Sequence, residues 1–170
     1  MPSKKPLLVL TDFDGTLSLT DVGYEVLLKF SGQGWDDIDR DYCEGRIGSM
    51  EAYGRICAIL GGTREDMLRF VEENTVLDPH FAEFYAFCRE RGIDIKVVSD
   101  GLDFYIDFVL RRHGLSEIPF YANRMTFEGG KPRAIEFPHA NGTCSKCGTC
   151  KTNILESCQA GYRTILYVGD

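Results

Sequence analysis

The sequence predicts an α/β fold, a doubly wound parallel sheet with a helical cap inserted near its start. Three features carry this reading: apolar runs that end in acidic or hydroxyl residues, helical periodicity between those runs, and one long stretch without a strand pattern. Residues 7–10 are all aliphatic and end at Thr11 and Asp12, as expected of a central strand buried on both faces. A second run, Ile93, Ile95, Val97 and Val98, stops at Ser99-Asp100-Gly101, and a third, residues 164–168, stops at Gly169-Asp170. Phe81, Phe84, Tyr85 and Cys88 keep helical spacing up to Gly92, and residues 104–113 form another helix that Gly114 stops. In a doubly wound sheet ligands bind beyond the carboxyl ends of the strands, which is where these polar ends should meet.

Residues 20–78 contain no convincing strand. Met50, Tyr53, Cys57 and Leu60 share one helical face behind Ser49, Gly61-Gly62 break the pattern, and Thr63-Arg64-Glu65-Asp66 open the next helix with a capping-box-like sequence. A crossover needs only one helix, so this stretch is too long for a crossover alone. It is expected to form a cap over the active end of the sheet, leaving residues 1–19 and 79–170 as the core domain. Residues 120–127 and 134–137 flank Glu128-Gly129-Gly130-Lys131, a hairpin turn.

With 170 residues, 44% of them hydrophobic and 26% charged, the chain can bury a core and suits one domain carrying a small insertion. Nineteen basic against 26 acidic residues give a net charge of −7, which excludes nucleic acid and an anionic membrane as natural partners and favours a small ligand. The four aliphatics at residues 7–10 are too few for a signal-peptide core or a membrane span, so a cytoplasmic protein is expected. Seven cysteines, three of them crowded at Cys144, Cys147 and Cys150, do not resemble a secreted disulfide framework, and reduced thiols are expected.

Asp12-Phe13-Asp14-Gly15-Thr16 puts two carboxylates at a strand end, and the simplest remedy for their repulsion is a divalent cation such as Mg²⁺. One aspartate can then attack phosphorus while the other exchanges a proton with the leaving group and with water. The same five residues also suit an Asx turn. Ser99 offers a hydroxyl and neighbouring N–H groups to a phosphate, or caps a helix. Lys151 can neutralise charge on a phosphoryl group, or be a solvated lysine. Asp170 can give the metal a further carboxylate oxygen, or be only a terminus. Four such features in order, at three strand ends and one helix start, favour phosphate chemistry.

Asp12-Phe13-Asp14-Gly15-Thr16-Leu17, Val98-Ser99-Asp100-Gly101, Lys151 and Val168-Gly169-Asp170 resemble, in order, the four motifs of the haloacid dehalogenase-like (HAD) phosphohydrolases. That resemblance implies a Rossmann-like core with a helical C1 cap of the phosphoserine-phosphatase-like branch. It implies an aspartyl-phosphate formed on Asp12, acid and then base catalysis by Asp14, and phosphate binding by Thr16, Ser99, Asp100 and Lys151. It implies Mg²⁺ on Asp12, Asp170 and the Asp14 carbonyl. Phe137-Pro138-His139, Gly142-Thr143-Cys144-Ser145 and Cys147-Gly148-Thr149-Cys150-Lys151 look like the segment before the motif lysine in the methionine-salvage phosphatases, which dephosphorylate a hydroxy-keto-methylthiopentenyl phosphate. Asp100 stands where that group more usually has glycine.

Phosphoserine phosphatases hold their amino acid with an acid shortly after the nucleophile and a cap arginine. Asp21 occupies the first position, or caps a helix beginning near Tyr24. For the second, the alignment on Glu44-Gly45 puts Ile56 in place of the arginine, with Arg55 beside it at about 100° of helical rotation and Arg46 as another candidate. Phosphoserine, phosphoethanolamine or phosphocholine hydrolysis is therefore the alternative, with a non-catalytic phosphate-binding or receiver-like module as the rival class. Cys144, Cys147, Cys150 and His139 could hold a structural Zn²⁺; the rival readings are free thiols and a disulfide. Members of the family continue beyond the fourth motif, so a piece of a longer protein is expected. A small phosphorylated metabolite is the expected partner, with a homodimer left open.

Overall fold

The computed structural model describes residues 4–144 and 146–169. Strand β1 (Lys5–Thr11) lies between β2 (Asp94–Leu102) and β5 (Tyr162–Val168) and is parallel to both. Strand β3 (Phe120–Glu128) adds parallel to β2, and β4 (Lys131–Glu136) closes that edge antiparallel to β3. The β3–β4 turn places Gly129 at φ 58° and Gly130 at φ 81°, the left-handed pair that a tight hairpin demands.

Strand alternation divides the core. Val9, Ile95 and Val97 face one side, where α5 (Phe81–Glu90) and α6 (Asp103–Arg112) contribute Phe81, Cys88, Ile106 and Val109. Leu8, Leu10 and Val98 face the other, against Ile154 and Cys158 of α7 (Lys151–Cys158). Both faces are therefore covered, and Leu8, Val9 and Leu10 are 0%, 1% and 1% exposed, as an aliphatic run in a central parallel strand requires.

Between β1 and α5 lie α1 (Val22–Phe30), α2 (Trp35–Cys43), α3 (Ser49–Ile59) and α4 (Arg64–Asn74). The chain leaves and re-enters the sheet side by side, through the Ser18–Leu77 bridge and the Leu19 N–H bond to the Val76 carbonyl at 2.9 Å. Thr63 and Asp66 form a reciprocal capping box at the start of α4. The buried stripe of α3 is Ser49, Ala52 and Ile56 rather than the expected Met50, Tyr53, Cys57 and Leu60, which are half-buried. This helix touches α2 on one side and β4 on the other, so the residues between those two contacts are the ones covered.

Strand β2 also departs from expectation. It runs through Ser99-Asp100-Gly101 to Leu102, with its register against β3 shifting between Val98 and Leu102. Such a break in register re-aims side chains at a strand end. It also delays α6 to Asp103, so Ser99 is not that helix's cap. Among the described residues no helix is long and apolar enough to cross a membrane.

Candidate active site

A cavity of about 490 Å³ opens beyond the carboxyl ends of β1 and β2. Asp12, Asp14, Ser99, Asp100 and Lys151 form its floor, and Tyr24, Leu27, Trp35, Ile38, Ala52 and Ile56 from α1, α2 and α3 form a wall. Residues far apart in sequence are thus brought to one place by strand order.

Asp12 follows directly from β1 and is 7% exposed. Its backbone N–H donates to the Val168 carbonyl at 2.8 Å, tying it to β5, and its Oδ1 accepts the Phe13 N–H at 2.8 Å. Its Oδ2 is paired with the Lys151 ammonium, which also donates to the Tyr167 hydroxyl at 3.0 Å. Lys151 is the first residue of α7, so the helix start fixes where its side chain begins. Burial works against its charge, but the bonds to Asp12 and Tyr167 outweigh that and hold Lys151 above the ordinary lysine range.

Asp14 is gripped by both oxygens. Its Oδ1 accepts the Gly23 N–H at 3.2 Å, and its Oδ2 accepts the Tyr105 hydroxyl at 2.8 Å and the Ser99 hydroxyl at 3.3 Å. Burial first, and then the charge of Asp21, push this carboxyl up to about 7 despite those bonds. A carboxyl that holds a proton near neutral pH can act as acid and then as base. Ser99, 1% exposed, also accepts the Gly101 N–H at 2.9 Å, so its hydroxyl hydrogen is free for Asp14.

The remaining expected positions divide between the cavity and its surroundings. Asp100 lines the cavity, but its Oδ1 accepts the Thr149 N–H at 2.7 Å and Asn123 Nδ2 at 3.0 Å, and its carbonyl accepts the Tyr53 hydroxyl at 2.8 Å. The Asp100 side chain ties the loop before α7 to β2 and β3. Thr16 is not part of the lining, and its Oγ1 is buried without a hydrogen-bond partner among the described residues. Asp21 caps α1 by accepting the Tyr24 N–H at 2.7 Å and also lines the cavity.

Arg46 and Arg55 do not line the cavity. Arg46 pairs with Asp41 at 2.8 Å and with Glu44, and Arg55 pairs with Asp41 at 3.0 Å and Glu51 at 2.5 Å, on the exposed side of α2, α3 and the loop between them. Helical rotation turns Arg55 out and Ile56 in. Asp170 lies outside the described residues. Residues that no sequence signal marked include Tyr105, whose reach to Asp14 depends on distant backbone, and Tyr167, hidden in the third apolar run.

The expected zinc group is not assembled. Among the described residues no three His, Cys, Asp or Glu side chains are grouped so as to hold a metal, and Cys144, Cys147 and Cys150 are unpaired thiols. The His139 ring stands edge-on to Tyr121, at 5.2 Å between centroids, and its carbonyl accepts the Cys150 N–H at 2.9 Å. Backbone bonds shape this loop where metal bonds were expected.

Mg²⁺ fits the donors better. The lining carboxylates Asp12, Asp14, Asp21, Asp39 and Asp100 face a single ammonium, Lys151, among the described residues. Left alone, that charge would repel a phosphate dianion. Two hard carboxylates beside a phosphate site are what Mg²⁺ commonly uses, with water completing its shell.

A parallel sheet with inserted helices and a paired-aspartate floor defines the class: the chain matches the haloacid dehalogenase-like hydrolases over residues 9–170 and belongs to that family. Among its relatives is the 2-hydroxy-3-keto-5-methylthiopentenyl-1-phosphate phosphatase of Brevibacillus brevis, 30% identical across 98% of this chain and 76% of the relative. The enzyme of the same name from Geobacillus kaustophilus is 32% identical across 95% of this chain and 75% of its own length. Solved structures agree on the fold. A HAD family hydrolase from Salmonella enterica serovar Typhi superposes with a TM-score of 0.76 at 20% identity, covering 99% of this chain and 57% of that one. The phosphoserine phosphatase of T. onnurineus gives 0.70 at 20% identity, covering 98% and 76%.

Proposed function

We propose that the protein hydrolyses a small phosphomonoester through Asp12, with residues 20–78 as a cap over the reacting end of the sheet. The observation that carries this is the joint placement of Asp12 paired with Lys151 and a protonatable Asp14 beneath an apolar chamber. An Asp12 carboxylate oxygen forms a bond to phosphorus as the bond from phosphorus to the ester oxygen breaks. The departing oxygen takes the electron pair and a proton from Asp14. Water then attacks phosphorus, gives its proton to Asp14, and releases inorganic phosphate and the Asp12 carboxylate. Lys151 holds negative charge on the transferring group, and Ser99, which lines the same cavity, offers it a hydroxyl.

The Asp12 carboxylate and the Asp14 backbone carbonyl, with Asp170, would hold Mg²⁺. When bound, this ion supplies the positive charge that lets a phosphate dianion approach these carboxylates. Seven unpaired thiols agree with a cytoplasmic setting.

For the substrate we favour 2-hydroxy-3-keto-5-methylthiopentenyl-1-phosphate, the compound in the relatives' names. Leu27, Trp35, Ile38 and Ile56 offer carbon surface to a thioether tail. Phosphoserine would need a cation for its carboxylate, and the described lining has only Lys151, which Asp12 already engages. The test is phosphate release from both compounds with and without Mg²⁺. The reading expects Mg²⁺-dependent release and a preference for the methylthiopentenyl ester. No release from any phosphate ester would refute it.

A further inference from the structure

The Tyr105 hydroxyl is buried, and the backbone around it is cleared to let it reach Asp14. Tyr105 is 0% exposed, and its ring is fixed between Phe13, at 5.9 Å between centroids, and Phe104, at 5.5 Å. Its hydroxyl donates to Asp14 Oδ2 at 2.8 Å. Two glycines on different elements keep this path open. A Cβ on Gly101 would collide with the Tyr105 hydroxyl and lie 2.6 Å from Asp14 Oδ2, while one on Gly23 would lie 2.8 Å from the same hydroxyl. Gly23 also supplies the N–H that meets Asp14 Oδ1.

We propose that Tyr105 is a positioning residue for Asp14, selecting which carboxyl oxygen exchanges the proton. This rests on the phosphatase reading above. Two hydroxyls, from Tyr105 and Ser99, occupy Oδ2, whereas Oδ1 meets one N–H at a longer 3.2 Å. With its lone pairs engaged, Oδ2 cannot also carry the acid proton, so Oδ1 carries it. In the first step that proton passes from Oδ1 to the ester oxygen as its bond to phosphorus breaks. Without the hydroxyl the carboxyl is free to turn, and protonation of the leaving group falters.

The consequence depends on the leaving group, which a merely structural role would not produce. Tyr105→Phe removes one oxygen and keeps the ring. The experiment compares kcat/KM for phenyl phosphate, whose leaving oxygen needs a proton, with 4-nitrophenyl phosphate, whose leaving oxygen needs it far less, in Mg²⁺. The variant should lose about tenfold or more on the first relative to the second, within the usual range for acid catalysis. A loss of folded protein cancels in that ratio. Equal losses on both esters, or no loss on either, would overturn the proposal while leaving the phosphatase reading intact. A wild type inert on both esters and on the methylthiopentenyl phosphate would overturn both.

Discussion

On the floor of the cavity the carboxylates are held by specific donors: Asp12 by Phe13 and Lys151, Asp14 by Gly23, Ser99 and Tyr105, Asp100 by Asn123 and Thr149. On the wall, Trp35, Ile38, Ala52 and Ile56 turn carbon inward, while the arginines of the same region pair with acids outside. The floor is positioned by backbone pairing of β1 with its two neighbours, which leaves its side chains little freedom. The wall is positioned by helix phase, where one residue decides between inside and outside. Reaction chemistry should therefore tolerate almost no change, and substrate choice should shift with single substitutions.

The strongest test of the floor is Asp12→Asn, which should reduce turnover by more than about a thousandfold, because an amide cannot attack phosphorus. Substantial residual turnover would remove Asp12 from the proposed role. Asp14→Asn should lower kcat by about 10²–10⁴-fold and at the same time stabilise the metal-free protein. The folded carboxyl sits at about 7 against an unfolded value of 3.8, chiefly through burial. Between those values the native state binds more protons than the unfolded state, so wild-type stability falls as pH rises. The variant lacks that penalty. Its advantage in unfolding free energy should be absent below about pH 4, grow up to about pH 7, and then level off at a few kcal/mol. A gap that does not vary with pH would contradict this account of Asp14.

The wall should respond differently. Ile56→Arg puts a guanidinium into the chamber and should move the ratio of kcat/KM for phosphoserine over the methylthiopentenyl ester upward by about tenfold. A proportional loss on both substrates would show that Ile56 does not face the bound tail. The smallest effect belongs to Arg55→Ala, one position away. Its ion pairs are half-exposed and outside the cavity, so turnover, selectivity and melting temperature should match wild type. A clear fall in kcat/KM would mean that Arg55 reaches the substrate.

Much of this architecture was readable from local patterns. Residues 7–10 marked a central strand because an uninterrupted aliphatic run is stable only where both faces are covered. Gly129-Gly130 marked the hairpin, and Thr63 with Asp66 marked the start of α4, because each rests on contacts within a few residues. The α3 stripe was read one position out of phase, since its burial depends on where α2 and β4 touch it. The side-chain partners of Asp100, on the loop before α7 and on β3, could not be read from its neighbours in sequence. The cysteine loop carried metal-like spacing, but its shape comes from bonds such as Cys150 N–H to His139 and Ser49 N–H to Lys146.

What the sequence by itself determined was the order of strands and helices and the chemical types available at the strand ends, because hydrophobic periodicity and turn chemistry act over short distances. Only the tertiary structure decided which oxygen of Asp14 meets two hydroxyls, that Arg55 faces solvent while Ile56 faces the chamber, and that Tyr105 reaches the floor through the space two glycines leave. Those outcomes depend on distances of a few ångströms between elements far apart in the chain, which no local pattern encodes.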